Sequence, residues 1–171
     1  MTVDIFSGFM EFLSGLSTDP VIYGIVFFIY AVMATVFLPI PVEAGLFFSP
    51  ETSIFIKGLI LGSGKAVGSI IVFTLGDKIN NGLTSLMSRS GFTRKFMELM
   101  QRFVARTRYY GLYAILSIPL MVDTIPLYLF SLFNQKGLMS LRYFVLTNFL
   151  AGITRATIVY LIFEQLGIKL I

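Results

Sequence analysis

Four ionisable residues stand in apolar surroundings, and they are the residues of this chain best suited to chemistry. Glu43 lies in the stretch FLPIPVEAGLFFSP and Asp123 in SIPLMVDTIPLY, while Lys65 and Arg155 each follow a glycine by three residues in long apolar segments. A charge at the centre of a bilayer costs about 2.5–3.5 kcal/mol even on the lenient insertion scale, so these residues should pair or face water. We predict a polar site at the membrane midplane; two buried salt bridges that only fix the fold are the alternative.

The residue types suggest what such a site could bind. Lys65 and Arg155 could attract a phosphate headgroup, Arg through a bidentate fork and Lys as a point charge. Glu43 and Asp123 could take up and release protons as the site opens and closes. Asn148, in the last apolar segment, could hydrogen-bond across helices or touch the substrate. The site would thus suit an anionic lipid headgroup, with proton coupling as an option.

Prolines beside both acids predict breaks in the helical backbone. Pro39 and Pro41 shortly precede Glu43, and Pro119 and Pro126 stand on either side of Asp123. Proline lacks an N–H and fixes φ, so it stops or kinks a helix. Broken backbone at membrane depth is tolerated only where it is buried in protein or lines a wet cavity. The breaks therefore strengthen the assignment of both acids to a functional site.

Composition indicates an integral membrane protein with one domain, residues 1–171. The chain is 56% hydrophobic and only 13% charged, against ~25% charged in soluble domains. It has no histidine and no cysteine, which excludes disulfides, the usual zinc sites and Ser–His or Cys–His catalysis. We expect neither an enzyme nor a bound metal or cofactor. The net charge of +4 suggests a membrane surface as partner, not nucleic acid.

Hydrophobic periodicity and length predict an all-α chain with about three full spanning helices. Glycines 58, 62, 64 and 68 suit close helix packing, within the chain or in a homodimer. The predicted elements are an amphipathic interfacial helix at 4–17, a spanning helix at 21–38, a re-entrant hairpin at 39–57 with a short arm at 42–48, a spanning helix at 53–80, a basic amphipathic helix at 89–108, a second re-entrant hairpin at 111–135 and a last spanning helix at 140–165.

The basic segment sets the predicted orientation. It contains Arg89, Arg94, Lys95, Arg102, Arg106 and Arg108 against the single acid Glu98. By the positive-inside rule this segment is cytoplasmic, and so is the N-terminus, in the plasma membrane. The two hairpins then enter from opposite faces, which is the geometry of an inverted repeat.

The ordered motifs LPIPVEAG, GLILGSGKAVGSIIVFTLGD, IPLMVDTIPLY and FVLTNFLAGITRA resemble the DedA/VTT (SNARE-associated Golgi protein) membrane family over about residues 35–165. The resemblance implies two opposed re-entrant hairpins and a lipid-moving activity, on undecaprenyl phosphate in bacterial relatives and phospholipids in eukaryotic ones. The family's intramembrane acid on the first hairpin would correspond to Glu43. Many bacterial members carry R-x-x-P-x-x-R on the second hairpin, but here those positions are Leu116 and Val122. The chain is thus more similar to a short archaeal-like or divergent branch.

The leading hypothesis is a lipid flippase or scramblase for polyprenyl phosphate or phospholipid. A proton- or ion-coupled transporter of a small solute is the first alternative, because buried acids would serve it equally. A non-transporting membrane scaffold, in which the four charges only pair, is the second. Lipid transport requires a lateral opening between hairpin and helix, whereas solute transport requires a closed vestibule.

Overall fold

The computed structural model describes residues 19–37, 40–49, 52–86, 91–134 and 137–166. These residues are almost entirely helical and include no strand, which confirms the all-α prediction for them. The elements are α1 (Pro20–Val36), a short 3₁₀-helix (Val42–Phe47), α2 (Ile54–Leu86), α3 (Gly91–Leu116), α4 (Thr124–Leu132) and α5 (Leu141–Gln165). The interfacial helix predicted at 4–17 lies outside the described residues, and so does Pro39.

Helix α1 begins at a capped proline. Asp19 precedes the helix, and its Oδ1 accepts hydrogen bonds from the N–H groups of Val21 (2.8 Å) and Ile22 (3.4 Å). Pro20 occupies the first helical position, where its missing N–H has no intrahelical partner to lose. The helix has 17 residues, or about 25 Å at ~1.5 Å per residue. It is therefore shorter than the spanning helix predicted at 21–38.

Two helices are long and apolar enough to cross a membrane, Ile54–Gly76 within α2 and Leu141–Gln165. Three full spans were predicted, and α1 is the one that falls short. Helix α2 is also longer than expected, because it continues as regular helix to Leu86. A re-entrant arrangement and an inverted repeat both require knowledge of the membrane plane, and they stay predictions.

Glycines set the contact between α2 and α5. A Cβ on Gly62 would stand 2.8 Å from the carbonyl oxygen of Phe149, and one on Gly152 would stand 2.8 Å from the Cα of Gly62. Gly64 and Gly68 meet α1 in the same way, against Ala31 and Thr35. Backbones can approach this closely only where no side chain intervenes. The glycine face considered for a homodimer is therefore occupied within the chain, on both sides of α2.

Helix α3 is interrupted at Arg108. This residue has φ 43° and ψ −133°, and a positive φ is uncommon for a residue other than glycine. The basic helix predicted at 89–108 thus extends from residue 91 to the interruption, and a second helical piece follows to Leu116. The backbone break predicted at Pro119 lies in the loop that joins this piece to α4.

Pro126 does not break a helix, contrary to the prediction. It is the third residue of α4, inside the first turn, where N–H groups have no intrahelical acceptor. Proline is tolerated there for that reason. The second break is therefore confined to residues 117–123, and we use "second break" for this loop and "first break" for residues 40–49.

Two apolar cores flank the middle of the molecule. One packs the first break against α1, α2 and the end of α5, and includes Phe27, Leu46 and Val159. The other packs the second piece of α3 and α4 against the start of α5, and includes Leu127 and Phe144. The first break thus belongs to one core, and the helices on either side of the second break belong to the other, with α2 and α5 common to both.

Candidate functional site

Both predicted bases lie at the centres of the long apolar helices. Lys65 has 11 residues of the Ile54–Gly76 segment on either side of it, at 54–64 and 66–76. Arg155 lies two residues beyond the midpoint of Leu141–Gln165, or ~3 Å along the axis. Because α2 and α5 pack through Gly62 and Gly152, each three residues before a base, the two bases face the same region.

The structure brings all four predicted charges into one cluster. Nζ of Lys65 lies 3.0 Å from Oδ2 of Asp123, and Nη2 of Arg155 lies 2.8 Å from Oδ1 of the same carboxylate. Nη1 of Arg155 lies 3.2 Å from Oε1 of Glu43. Asp123 therefore bridges both bases, and Arg155 bridges both acids. We call these four residues the charge cluster.

The pairing crosses between the two predicted halves of the chain. Among the described residues, Glu43 forms its ion pair with the base of the other half, and Lys65 with the acid of the other half. The four side chains are 0–1% exposed. Two positive and two negative charges sum to zero, which is the condition under which buried charges are tolerable.

The second break wraps around the cluster with its backbone. The N–H of Leu120 donates to Oε1 of Glu43 at 2.9 Å, and Nη1 of Arg155 donates to the carbonyl of Met121 at 3.0 Å. Nζ of Lys65 donates to the carbonyl of Leu116 at 3.4 Å. Leu120 adopts φ 60°, a strained value for a side chain of its size. Non-helical backbone is thus used here to satisfy buried charges.

The first break is held differently, by side chains outside the cluster. The hydroxyls of Tyr23 and Tyr30 donate to the carbonyls of Gly45 (2.8 Å) and Pro41 (2.9 Å), and Nζ of Lys57 donates to the carbonyl of Leu46 (3.1 Å). Sequence reasoning missed these three donors. Their spacing contains the signal, since Tyr23 and Tyr30 are seven residues apart and Lys57 precedes Lys65 by eight, which places each pair on one helix face.

Several buried polar atoms of the site have no hydrogen-bond partner. Among the described residues these include Oε2 of Glu43, Nε of Arg155, Oγ of Ser117 and Oδ1 of Asn148. The oxygens of Asp123 and Nη2 of Arg155 are at ion-pair distance but are not aligned as hydrogen bonds. Buried polar groups are normally satisfied. The cluster therefore retains capacity for a ligand or water.

Asn148 does not form the interhelical hydrogen bond considered from the sequence. It is fully buried, and its Nδ2 donates to the carbonyl of Phe144 in its own helix at 2.9 Å. It lies seven residues before Arg155 and so on the same face of α5. A role in packing and a role in contacting substrate both remain compatible with this position.

Two open grooves flank α5. The first lies against the start of α2 and is lined by Phe55, Gly58, Ile153 and Tyr160, among others. The second lies against the second piece of α3, and four of its seven lining residues are tyrosines. Their volumes are about 410 and 420 Å³, within the range of ligand pockets. Both lie between α5 and a neighbouring helix.

The arrangement can bind an anion only if it changes shape. In the present structure each base is occupied by a carboxylate, and the cluster is closed to solvent. Both acids, however, lie on irregular or 3₁₀ backbone, while both bases lie on long helices. Among the described residues no group of three or more His, Cys, Asp or Glu could hold a metal ion. What the site shows is a set of paired charges.

Comparison of the chain with models of known families, with characterised proteins and with solved structures found no match.

Proposed function

We propose that the protein is an integral membrane lipid transporter, a flippase or scramblase for a phosphate-bearing lipid such as a polyprenyl phosphate or a phospholipid. The observation that carries the proposal is the charge cluster at the centre of the two longest apolar helices. Ionisable residues at that depth are expensive and mark substrate or proton pathways by default. Broken helices that meet at the midplane are typical of transporter sites.

Movement of the breaks would turn the closed cluster into a phosphate site. Withdrawal of Glu43 and Asp123 on their irregular segments would leave Lys65 and Arg155 in place on α2 and α5. Two cations without partners would then attract a phosphate headgroup, the guanidinium through a fork and the ammonium as a point charge. Proton coupling through these two carboxylates is part of the proposal.

The grooves between helices favour a lipid over a small solute. A lipid must reach the site between helices while its hydrocarbon chains stay in the bilayer, and both grooves lie between α5 and a neighbouring helix. A small solute would need an aqueous vestibule leading to the cluster. Membership of the DedA/VTT family, with two opposed re-entrant hairpins, is part of this proposal and rests on the sequence motifs.

Lipid movement in proteoliposomes tests the proposal. Vesicles would contain a fluorescent phospholipid or a polyprenyl phosphate, and the rate of exchange between leaflets would be compared for the unmodified protein, Glu43→Gln and Asp123→Asn. The assay would be run with and without a pH gradient. Glu164→Gln is the matched control, because Glu164 is an exposed acid on α5.

We expect one of the two lipids to move at least ~10-fold faster with protein than without, and both cluster variants to remove most of that acceleration. Glu164→Gln should retain it. Absence of movement of either lipid, with protein shown to be folded and inserted, would contradict the proposal.

A structural role for the charges is the second candidate, and the mutual pairing of all four residues favours it. In that case the protein would be a membrane scaffold. Glu43→Gln and Asp123→Asn would then lower the stability of the protein. No lipid would move, even with the unmodified protein.

A further inference from the structure

The contacts between α1 and α2 show that these consecutive helices run in the same direction. Three close approaches at glycines join them, and the residue numbers rise together along both helices. The pairs are Gly24 with Ile60, Gly64 with Ala31, and Gly68 with Thr35. Because α2 follows α1 in the chain and runs parallel to it, the connection between them must return to the end at which α1 began.

The first break makes that return along α1. The carbonyl of Pro41 accepts a hydrogen bond from Tyr30, and the carbonyl of Gly45 accepts one from Tyr23. The later carbonyl of the break thus bonds the earlier tyrosine of the helix. Helix α1 and the first break therefore enter and leave at the same end of α2.

Helix α1 stops well short of the other end of α2. Thr35, near the last residue of α1, lies beside Gly68. Gly68 precedes Gly76, the end of the apolar segment of α2, by eight residues, or ~12 Å along the axis. Helix α1 therefore does not cover the thickness that α2 covers.

Helix α5 runs in the opposite direction to α2. Residue numbers fall along α5 as they rise along α2, in the pairs Gly58 with Ala156, Gly62 with Phe149, and Phe73 with Phe144. The start of α5 therefore lies beside the end of the apolar segment of α2.

The second break is reached from that other end. The hydroxyl of Tyr109 accepts a hydrogen bond from the N–H of Ser140, just before α5, at 2.6 Å. The second piece of α3 runs from there to Leu116, whose carbonyl is bonded by Lys65 in the middle of α2. Helix α4 then leads back to Ser131, which lies beside Gly76. Residues 109–132 thus enter and leave at the end opposite to that of α1 and the first break.

The two ends of the molecule carry different charges. We call the end where α1 and α2 begin and α5 finishes the Asp19 end, and the end where α5 begins the basic end. The basic piece of α3 lies at the basic end, because the ring of Phe103 meets that of Phe130 in α4 with centroids 6.0 Å apart. Among the side chains that the structure describes, the exposed charged ones are Asp19 and Glu164 at the Asp19 end, and Lys78, Arg102, Arg106, Arg108 and Arg142 at the basic end, where the acid Glu98 is partly exposed.

We propose that the protein crosses the membrane twice, through α2 and α5, with its basic end against the anionic surface of the cytoplasmic leaflet and its Asp19 end on the opposite side. Cations in short segments beside spanning helices are retained in the cytoplasm, and an anionic leaflet attracts them. Helix α1 with the first break, and residues 109–132 with the second, are then re-entrant units from opposite sides. Each unit supplies one acid of the charge cluster, Glu43 or Asp123.

This arrangement differs from the orientation predicted from the sequence, in which a spanning α1 places the N-terminal end and the basic helix on the same side. The cause of the difference is the parallel packing of α1 and α2, which no periodicity in the sequence reveals. The inference rests on the membrane location in the proposed function but not on transport.

Cysteine labelling tests the arrangement, because the chain contains no cysteine. Asp19→Cys and Glu164→Cys each place a single thiol at the Asp19 end, and Arg102→Cys and Arg142→Cys each place one at the basic end. All four side chains are exposed. Each full-length variant would be expressed in bacterial cells, and spheroplasts would be treated with a membrane-impermeant maleimide before and after permeabilisation. Two reporters at each end keep the test decisive if one variant fails to insert.

We expect the Asp19-end thiols to be labelled equally well before and after permeabilisation, and labelling of the basic-end thiols to rise at least ~10-fold on permeabilisation. If α1 crosses the membrane, Asp19→Cys will behave like Arg102→Cys and unlike Glu164→Cys, which would overturn the two crossings. Labelling of the basic-end thiols in intact spheroplasts would overturn the cytoplasmic assignment.

A charge-neutralised variant tests the contact with the anionic leaflet. Lys78, Arg102, Arg106 and Arg142 would all be replaced by Gln in the Asp19→Cys protein. We expect the fraction labelled in intact spheroplasts to fall by at least about a third, because the signal for orientation is weakened. Glu98→Gln, at the same end, is the control and should leave that fraction unchanged. An unchanged fraction in the fourfold variant would overturn the role of the basic end, whatever the lipid assay shows.

Discussion

The two breaks deliver the same kind of residue to the same place, but they are held there by different forces. The carbonyls of the first break accept hydrogen bonds from Tyr23, Tyr30 and Lys57, none of which belongs to the charge cluster. The backbone of the second break is bonded to two cluster members, to Glu43 through the N–H of Leu120 and to Arg155 through the carbonyl of Met121. Lys65 bonds the carbonyl of Leu116, the residue just before this break. One break would keep its place without the charges, and the other depends on them.

This difference suggests which part moves. A segment is mobile when few interactions independent of the trigger hold it. If the cluster separates during transport, the second break loses its two bonds to the cluster at the same moment and keeps the local bonds from Ser117 to Tyr113 and from Ile118 to Ile115. The first break retains its three side-chain donors. We therefore expect the second break and α4 to be the moving gate and the first break to be the fixed wall.

Removal of Arg155 should have the largest effect, because it contacts both acids and the second break. Arg155→Met leaves Glu43 without its ion-pair partner and Asp123 with Lys65 alone. We expect the free energy of unfolding to fall by about 3–5 kcal/mol, measured by reversible unfolding in mixed detergent micelles. The exposed control Glu164→Gln should change it by less than about 0.5 kcal/mol. A loss near the control value would show that the cluster does not hold the two breaks together.

Neutralising the two acids should have unequal effects. Asp123→Asn removes the carboxylate that bridges both bases, and we expect a loss of about 3 kcal/mol, against about half of that for Glu43→Gln. Hydrogen exchange should show faster amide exchange at residues 117–123 in Asp123→Asn, with less change at 42–47. Equal losses, or greater loosening of the first break, would reverse our assignment of gate and wall.

Removing the two tyrosine donors should loosen the first break instead of the second. Tyr23→Phe with Tyr30→Phe removes the side-chain donors to the carbonyls of Gly45 and Pro41 and leaves each with one long backbone bond, from Phe48 at 3.4 Å and from Ala44 at 3.3 Å. We expect a loss of about 1 kcal/mol for each hydrogen bond removed. Amide exchange should then accelerate at residues 42–47 and stay nearly unchanged at 117–123. Tyr110→Phe, at a side chain that is 88% exposed, is the control. Loosening of both breaks together would show that they form one mechanical unit.

The smallest effect on stability is expected from a substitution seven residues before a base, a position at which the two halves differ. That position is Gly58 in the first half and Asn148 in the second. Asn148→Leu should change the free energy of unfolding by less than about 1 kcal/mol, since the amide bonds only within its own helix. We expect lipid movement to slow nonetheless, because Oδ1 of Asn148 is an unpartnered acceptor. Unchanged lipid movement would assign Asn148 to packing alone.

Much of the fold was accessible from the sequence because the physical signals are local. Apolar length indicated the long helices, and proline marked the ends of α1 and of the second piece of α3. Pro126 was misread, since a proline in a first turn and a proline that ends a helix look the same until the helix start is known. The length of α2 was underestimated because its last residues are polar. Their polarity predicted that the helix would end before them, but the helix continues to Leu86.

The site was accessible only in part. The expense of burying charge made Glu43, Lys65, Asp123 and Arg155 conspicuous. Their crossed pairing depends on how α2 and α5 rotate about their glycine contact, which is a tertiary property. The bonds from Leu120 and to Met121 involve backbone groups, and these have no sequence signature at all.

The distance along the chain between paired charges has a consequence for biosynthesis. Lys65 meets its first partner, Asp123, only 58 residues later (123 − 65), and ribosomes add ~5–20 residues per second, so about 3–12 s pass before that partner exists. During this interval an uncompensated ammonium occupies the middle of a nascent helix. A chain that stops after residue 110 should therefore be degraded unless Lys65 is replaced by Met. Pulse-chase labelling of the two truncated chains would measure how long the first half survives in the cell before it is degraded.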